Sequence, residues 1–184
     1  MLKKIVITGP ESTGKSTLSR QLANHYKTLW VPEYAREYLE KYGTNYTYEN
    51  LLTIAHEQVS LEKKYEEESA SQKPMTRLSS DTLLFIDTDM YVMKVWCEFV
   101  YSKCHSWILN QIANRRYDLY LLCNIDLPWV KDNLREYPNI EIRNKLYHYY
   151  RDIMINQAAP WIEISGNYEQ RLIKAVNAIN SYIS

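Results

Sequence analysis

Two glycines, followed by a lysine and a hydroxyl side chain, form the clearest chemical pattern in this 184-residue chain. The stretch GPESTGKS at residues 9–16 fits the spacing G-x-x-x-x-G-K-[ST]. Gly9 and Gly14 are two of only four glycines in the sequence, and glycine adopts backbone angles that other residues avoid. Backbone N–H groups in such a loop surround an anion, and the helix that follows adds its positive dipole end. The pattern predicts a site for the phosphates of a nucleoside triphosphate.

The other residues of this phosphate loop supply charge and metal ligands. Lys15 brings a positive charge to the β- and γ-phosphates, and Ser16 offers a hydroxyl to Mg²⁺. We therefore expect ATP and Mg²⁺ as cofactors. The loop residues that we assign to nucleotide binding are Gly9, Glu11, Ser12, Thr13, Gly14, Lys15, Ser16 and Thr17.

The rest of the chain distinguishes hydrolysis of the triphosphate from transfer of its γ-phosphate. A GTPase would carry N-K-x-D to recognise guanine, and residues 144–147, NKLY, lack that aspartate. A fast ATPase would place a glutamate directly after its magnesium-binding aspartate, but Asp87 is followed by Thr88. These two differences favour a kinase, in which the nucleophile is the hydroxyl of a second substrate.

A kinase of small molecules also needs a carboxylate for magnesium and a base for the acceptor hydroxyl. Asp87 ends an apolar run and is the expected partner of Mg²⁺ beside Ser16. Either Glu33 or Asp89 is expected to accept the proton of the acceptor hydroxyl, and Asp89 could instead hold ribose hydroxyls. Arg36 is expected to steer substrate or phosphate. A structural role is the alternative for each: Glu33 and Arg36 could form an ion pair, and Asp89 could cap a helix.

A polar segment after the fourth predicted strand has the composition of a lid that covers the site. We place this lid at about residues 126–144. Its Arg135 and Arg143 are expected to contact the nucleotide, unless they are solvated loop charges, and Arg135 is also a candidate catalytic residue. The adenine is expected between the lid and the turn before the last helix, where Tyr168 and Arg171 are candidates for contact.

Strands and helices alternate through the sequence and position these residues. We predict strands at 2–8, 28–31, 82–87, 118–124 and 160–165. We predict helices at 15–26, 33–43, 47–70, 89–102, 105–116, 141–158 and 168–183, with a solvated charged end at 62–69 and a loop at 71–81. Because the strands are apolar runs, we expect an α/β fold with a parallel sheet covered on both faces, in a single domain over residues 1–184.

The composition disfavours several partner classes. Lys and Arg number 22 and Asp and Glu number 22, and the resulting net charge of zero argues against a broad nucleic-acid surface. The apolar run at residues 5–7 is too short for a signal peptide, and no segment approaches a membrane span, so we expect a soluble cytoplasmic protein without a membrane partner. Three cysteines without a CxxC pair fit a reducing compartment. The sequence carries no signal for the oligomeric state.

Four segments that together span most of the chain resemble one known family. GPESTGKSTL, PEYAREYL, FIDTD and YDLYLLCNIDLPWVKDNLR resemble, in order and spacing, the ribosylnicotinamide kinase domain of NadR-type NAD-biosynthesis proteins. The resemblance implies a P-loop nucleoside-kinase fold with strand order 2-3-1-4-5. It also implies transfer of the γ-phosphate of ATP to the 5′-hydroxyl of nicotinamide riboside, a small-molecule riboside. Bifunctional members of the family carry an adenylyltransferase ahead of the kinase. Because the sequence begins at the first kinase strand, we expect a stand-alone kinase-like domain.

The family's functional residues transfer to this chain at four places. The phosphate loop transfers to residues 9–17. The other three places form the acceptor site and the start of the lid. They are Glu33, Tyr34 and Arg36 in E-Y-x-R, Asp87 and Asp89 in I-D-T-D, and Pro128, Trp129, Asp132 and Arg135 in the lid.

Two positions depart from the family pattern. Pro32 stands where the family has a tryptophan that can stack on the nicotinamide ring, and Trp30 lies two residues earlier. Asn133 replaces a lid glycine, although asparagine also tolerates left-handed backbone angles. Trp30, Tyr34 and Trp129 are the candidates for contact with a flat base. Two other functions stay open: a kinase for another nucleoside or small alcohol, and an ATP-binding regulatory protein that acts through a protein partner.

Overall fold

The computed structural model describes residues 1–71 and 81–183, and most of the predicted loop at 71–81 lies outside them. The strands are β1 Leu2–Thr8, β2 Leu29–Val31, β3 Thr82–Asp87, β4 Leu119–Cys123 and β5 Trp161–Ile164. The helices are α1 Lys15–Tyr26, α2 Tyr34–Tyr42, α3 Tyr48–Ser71, α4 Met90–Tyr101, α5 Ser106–Asn114, α6 Ile140–Asn156 and α7 Tyr168–Ile183. Every predicted strand and helix is present, with ends within two residues of the prediction.

The strands form one parallel sheet in the order β2-β3-β1-β4-β5, which confirms the expected order. At its centre, Ile7 of β1 pairs with Asp87 of β3 on one side and with Leu121 of β4 on the other. Because all strands run in the same direction, their carboxyl ends meet at one edge of the sheet. The loop after β1, Glu33 after β2 and Asp87 at the end of β3 therefore converge on one crevice.

Helices cover both faces of the sheet, as the apolar strands predict. Ile5 and Ile7 of β1 lie in a core with Leu22 of α1 and Ile179 of α7. Val6 points to the other face, into a core to which α4 and α6 contribute. A third apolar cluster joins α2, α3, α4 and α5. Within the described residues, no helix combines the length and the apolar character that a membrane span requires.

The charged end of α3 corrects the sequence prediction, which placed it in solvent. Glu62 is only 2% exposed, and its Oε1 lies 3.3 Å from Lys4 Nζ and 2.6 Å from Nη2 of Arg115. Glu66 lies 2.9 Å from the same lysine nitrogen. A buried carboxylate is tolerated where cations pair with it, and these cations come from distant parts of the chain.

Candidate active site

The phosphate loop follows β1, and its two glycines occupy positions where a side chain would cause strain. Gly9 has φ 132°, and a Cβ there would lie 2.8 Å from the carbonyl oxygen of Cys123. Gly14 has φ 78°, and a Cβ there would lie 3.0 Å from Leu127 and 3.2 Å from the ring of Tyr168. The absence of a side chain therefore lets the loop approach its neighbours closely while its backbone adopts positive φ angles.

Lys15 extends its side chain along the inside of this loop. The residue is 8% exposed, and its Nζ donates a 2.9 Å hydrogen bond to the carbonyl oxygen of Pro10. The same oxygen accepts a 2.8 Å bond from Oγ1 of Thr13. Ser16 is exposed and lines the cavity at the first turn of α1. Since α1 begins at Lys15, its positive dipole end faces the crevice.

A buried arginine holds the phosphate loop from behind. Arg171 of α7 is 1% exposed, and its Nη1 donates to the carbonyl oxygen of Thr13 at 3.0 Å. Its Nε donates to the carbonyl oxygen of Gly166 at 2.7 Å, and its guanidinium pairs with Asp126. Because Arg171 is enclosed in this way, it does not present a surface to adenine. Tyr168, by contrast, is 47% exposed and lines the cavity.

Asp87 has the environment of a metal ligand. It is 1% exposed, and its Oδ1 has no hydrogen-bond partner among the described residues. Burial raises the pKa of this carboxyl and the negative charge of Glu33 adds to the effect, whereas Lys15 and the Ser16 hydroxyl oppose it. A buried carboxylate oxygen without a donor, beside a hydroxyl, fits the oxygen coordination that Mg²⁺ prefers. Asp87 and Ser16 are the residues that would hold the metal.

Asp89 differs from Glu33, the other predicted base, in its access to the cavity. Thr88 has φ 87°, which is rare for a β-branched residue, and the chain then enters α4. Asp89 is 1% exposed and accepts bonds from the Val92 N–H at 3.4 Å and the Tyr120 hydroxyl at 3.0 Å. Burial raises the pKa of Asp89 to about 7, although the Tyr120 bond acts in the opposite direction. Glu33 lines the cavity, whereas Asp89 caps α4.

A cavity of about 320 Å³ joins the phosphate loop to an apolar chamber that the sequence analysis missed. The rings of Phe99 and Tyr137 meet edge to face with their centroids 5.2 Å apart, and Trp96 Nε1 donates to the Tyr46 hydroxyl at 2.9 Å. The helical spacing of apolar residues in α4 predicts a buried face, but not that this face lines a cavity. The residues of the chamber are Val92, Val95, Trp96, Phe99, Leu134, Tyr137, Leu146 and Tyr150.

The segment between β4 and α6, which we predict to be the lid, contacts the phosphate loop. Arg135 lines the cavity, and its Nη1 donates to the carbonyl oxygen of Val130 at 2.6 Å. Asp132 accepts a 2.9 Å bond from Arg36 and a 3.0 Å bond from the N–H of Leu134. These bonds hold α2 to the lid. Asp132 itself does not line the cavity, and its contact with substrate stays a prediction.

Arg143 lies behind the phosphate loop rather than on the cavity wall. It is 3% exposed, and its Nη2 donates to the carbonyl oxygen of Leu127 at 3.3 Å and to that of Ser12 at 3.5 Å. Burial lowers its pKa. The structure thus gives Arg143 a place between the lid and the loop, and direct contact with the nucleotide stays a prediction.

The three aromatic residues that the sequence proposed for base contact also lie outside the cavity wall. Trp30 packs against the core beside α1, and Tyr34 packs among α2, α3 and α4. Trp129 donates its Nε1 to Glu11 at 3.4 Å. The chamber formed by α4, α6 and the lid therefore offers a different aromatic surface from the one expected.

This arrangement is a P-loop fold of the kind also found in nucleoside kinases. The defining features are a parallel sheet in the order 2-3-1-4-5, a glycine-framed loop after β1, a buried aspartate at the end of β3 and a lid after β4. The chain belongs to the AAA domain family, whose model matches residues 4–171.

The chain is also similar, at 24% sequence identity or less, to individual proteins and solved structures. The trifunctional NAD biosynthesis/regulator protein NadR of Salmonella typhimurium is 24% identical over 97% of this chain and 42% of its own length. The crystal structure of a NadR protein in complex with NR matches 98% of this chain and 49% of its own, with 21% identity and a TM-score of 0.78. A deoxyadenosine kinase from M. mycoides with bound dATP matches 97% of this chain and 99% of its own, with 14% identity and a TM-score of 0.61. The chain spans less than half the length of these NadR proteins, and at these identities the structural matches show the fold.

Proposed function

We propose that the chain is a phosphotransferase that moves the γ-phosphate of ATP to the 5′-hydroxyl of nicotinamide riboside and yields nicotinamide mononucleotide. The observation that carries the proposal is the cavity shared by the phosphate loop, Glu33 and the aromatic chamber. A triphosphate at the loop and a flat base in the chamber would place a ribose hydroxyl near Glu33. Similarity to NadR proteins, one of them in complex with NR, supports nicotinamide riboside as the acceptor.

The phosphate end of the cavity supplies charge and position for the transfer. The backbone N–H groups of the loop and the Lys15 ammonium would bind the β- and γ-phosphates. Arg135 lines the cavity from the lid and would stabilise the charge on the transferring group. Mg²⁺ bound by Ser16 and Asp87 would neutralise phosphate charge. Because catalysis of phosphoryl transfer rests on positioning and electrostatics, these groups account for the chemistry without a covalent intermediate.

Glu33 is the better candidate for the base that accepts the acceptor proton. It lies directly before α2, is partly exposed and lines the cavity. Each oxygen of Asp89, by contrast, already accepts a hydrogen bond. We therefore assign proton acceptance to Glu33. Asp89 would fix the start of α4, the helix that supplies half of the chamber residues.

Pro32 stands where the family has a tryptophan that can stack on the base. In this chain the aromatic chamber would bind the base instead. Trp96, Phe99 and Tyr137 present aromatic surface from α4 and from the lid. Contacts between aromatic rings contribute roughly 0.5–1.5 kcal/mol each beyond the burial of apolar area. The same surface would accommodate other flat bases. Because Pro32 departs from the family pattern at the base site, a kinase of another nucleoside is the second candidate.

The test measures ADP release with ATP and Mg²⁺ in the presence of a panel of ribosides. We expect nicotinamide riboside to stimulate ADP release strongly, and we expect Lys15→Ala to abolish the stimulation. Lys63→Ala, which removes an exposed lysine from α3, is the matched control and should retain activity. Stimulation by a different riboside alone would reassign the acceptor. Tight ATP binding without stimulation by any riboside would contradict a kinase and favour the regulatory function. A role in NAD salvage follows from the proposal, and both this role and a cytoplasmic location stay predictions.

A further inference from the structure

We propose that Glu11, a member of the phosphate loop, is a positioning residue that fixes the lid and is not a ligand of the nucleotide. A carboxylate that pointed into an anion-binding loop would repel the phosphates. Glu11 lines the cavity, and both oxygens of its carboxylate are directed to the lid, where their partners are hydrogen-bond donors.

Both carboxylate oxygens of Glu11 accept hydrogen bonds from the lid. Oε1 accepts from the backbone N–H of Tyr137 at 2.6 Å and from Nε1 of Trp129 at 3.4 Å. Oε2 accepts from the backbone N–H of Glu136 at 3.0 Å. Hydrogen bonds to an ionised acceptor are about twice as strong as those between neutral groups. Glu11 therefore contacts lid residues on either side of Arg135.

The neighbouring loop residue adds a further contact to the same segment. Ser12 has φ 57°, a left-handed conformation, and its Oγ accepts a 3.1 Å bond from the backbone N–H of Val130. Glu11 and Ser12 together hold the lid at Trp129–Val130 and again at Glu136–Tyr137. The lid is thus attached at two points to the loop that receives the phosphates.

This attachment determines where two cavity residues lie. Arg135 directly precedes the bonded N–H groups, and the Tyr137 ring is part of the chamber wall. Loss of the Glu11 contacts would leave both side chains free to move away from the cavity. Glu11 would thereby couple the phosphate loop to the acceptor chamber, a role that rests on the proposed kinase function. The contacts themselves do not depend on that function.

Hydrogen–deuterium exchange of the ligand-free protein tests the contacts directly. In Glu11→Ala we expect amide exchange in residues 128–139 to accelerate at least tenfold, with unchanged exchange in β4 and α7. Glu11→Gln retains one acceptor oxygen and should retain part of the protection. The control, Glu57→Ala, removes an exposed carboxylate from α3 and should behave as the wild type. Unchanged exchange of the lid in Glu11→Ala would overturn the proposal.

Steady-state kinetics test the positioning role. We expect Glu11→Ala to lower kcat/KM for the riboside at least tenfold while the affinity for a non-hydrolysable ATP analogue changes less than threefold, with partial rescue in Glu11→Gln. A tenfold loss of nucleotide affinity with normal lid exchange would instead make Glu11 a nucleotide ligand. If the wild type phosphorylates no riboside, the kinase proposal and the coupling role fail together, and the exchange experiment still decides whether Glu11 holds the lid.

Discussion

The Nη2 atom of Arg36 lies 2.9 Å from Oδ2 of Asp132 and joins helix α2 to the lid. Glu33, the proposed base, directly precedes α2, and Arg135 belongs to the lid. Both residues line the same cavity. The side chain of Arg36 is 51% exposed and that of Asp132 is 20% exposed. Such a pair contributes little to global stability, but it fixes the distance between two functional segments.

For this ion pair we predict a small effect on folding and a larger effect on substrate binding. Asp132→Ala should change the free energy of unfolding by no more than about 1 kcal/mol, because the pair is partly exposed. The same change should raise the KM for the riboside severalfold. Glu40→Ala removes the other ion pair of Arg36 without touching the lid and is the control. Equal KM values in Asp132→Ala and the wild type would contradict a role of the pair in acceptor binding.

The assignment of the base predicts different consequences for the two carboxylates. Glu33→Gln should lower kcat by roughly 10²–10⁴-fold with little change in ATP affinity, because general base catalysis contributes about that much. Asp89→Asn should keep more of the turnover, since the amide oxygen still accepts a hydrogen bond at the start of α4. Single-turnover kinetics and ATP-analogue titration measure the two effects. A larger loss of turnover in Asp89→Asn than in Glu33→Gln would reverse the assignment.

The aromatic chamber predicts a substitution that separates acceptor binding from ATP binding. Phe99→Leu removes the edge-to-face contact with Tyr137 and should raise the KM for the riboside by roughly two- to tenfold, as expected for one aromatic contact. The KM for ATP should stay the same. Val100→Ala changes the neighbouring exposed residue of α4 and should leave both constants unchanged. A selective change in the KM for ATP would remove the chamber from the acceptor site.

The buried cysteines predict a pattern of thiol reactivity. Burial raises the pKa of Cys97 to about 12 and that of Cys123 to about 11. At pH 8 the reactive thiolate would then be about one part in a thousand or less of either thiol. Alkylation of the folded protein with iodoacetamide, read by mass spectrometry, should modify the partly exposed Cys104 first. All three should react after unfolding in urea, and equal rates in the folded state would contradict the burial of Cys97 and Cys123.

Local patterns in the sequence were sufficient for the phosphate loop and for the strands. Gly9, Gly14 and Lys15 lie within one turn-forming stretch, and apolar runs such as residues 82–87 have the length of strands. The order of the strands required the resemblance to a known family, because pairing joins segments that are far apart in the chain. Ile7, for example, pairs with Asp87 across 80 positions.

The missed parts of the site are formed by contacts between distant segments. Phe99 and Tyr137 come from α4 and from the lid, and neither has a sequence neighbour that marks it as a cavity residue. The assignment of Glu11 to the nucleotide, made because it belongs to the loop motif, stays a prediction. The donors on which its proposed lid role rests lie more than 100 residues later and could not be read from the motif. Periodicity predicts which face of a helix is apolar, but it does not distinguish packing from a ligand surface.

The hydrogen bond from Arg171 to the phosphate loop determines when, during synthesis of the chain, the nucleotide site can form. The phosphate loop at residues 9–17 is synthesised well before Arg171, whose guanidinium holds the Thr13 carbonyl. A chain emerging from the ribosome would therefore lack a fixed nucleotide site until α7 has been made and has docked. Nucleotide affinity should appear late and in one step, so retention of ribosome-bound chains on an ATP resin would report completion of the fold.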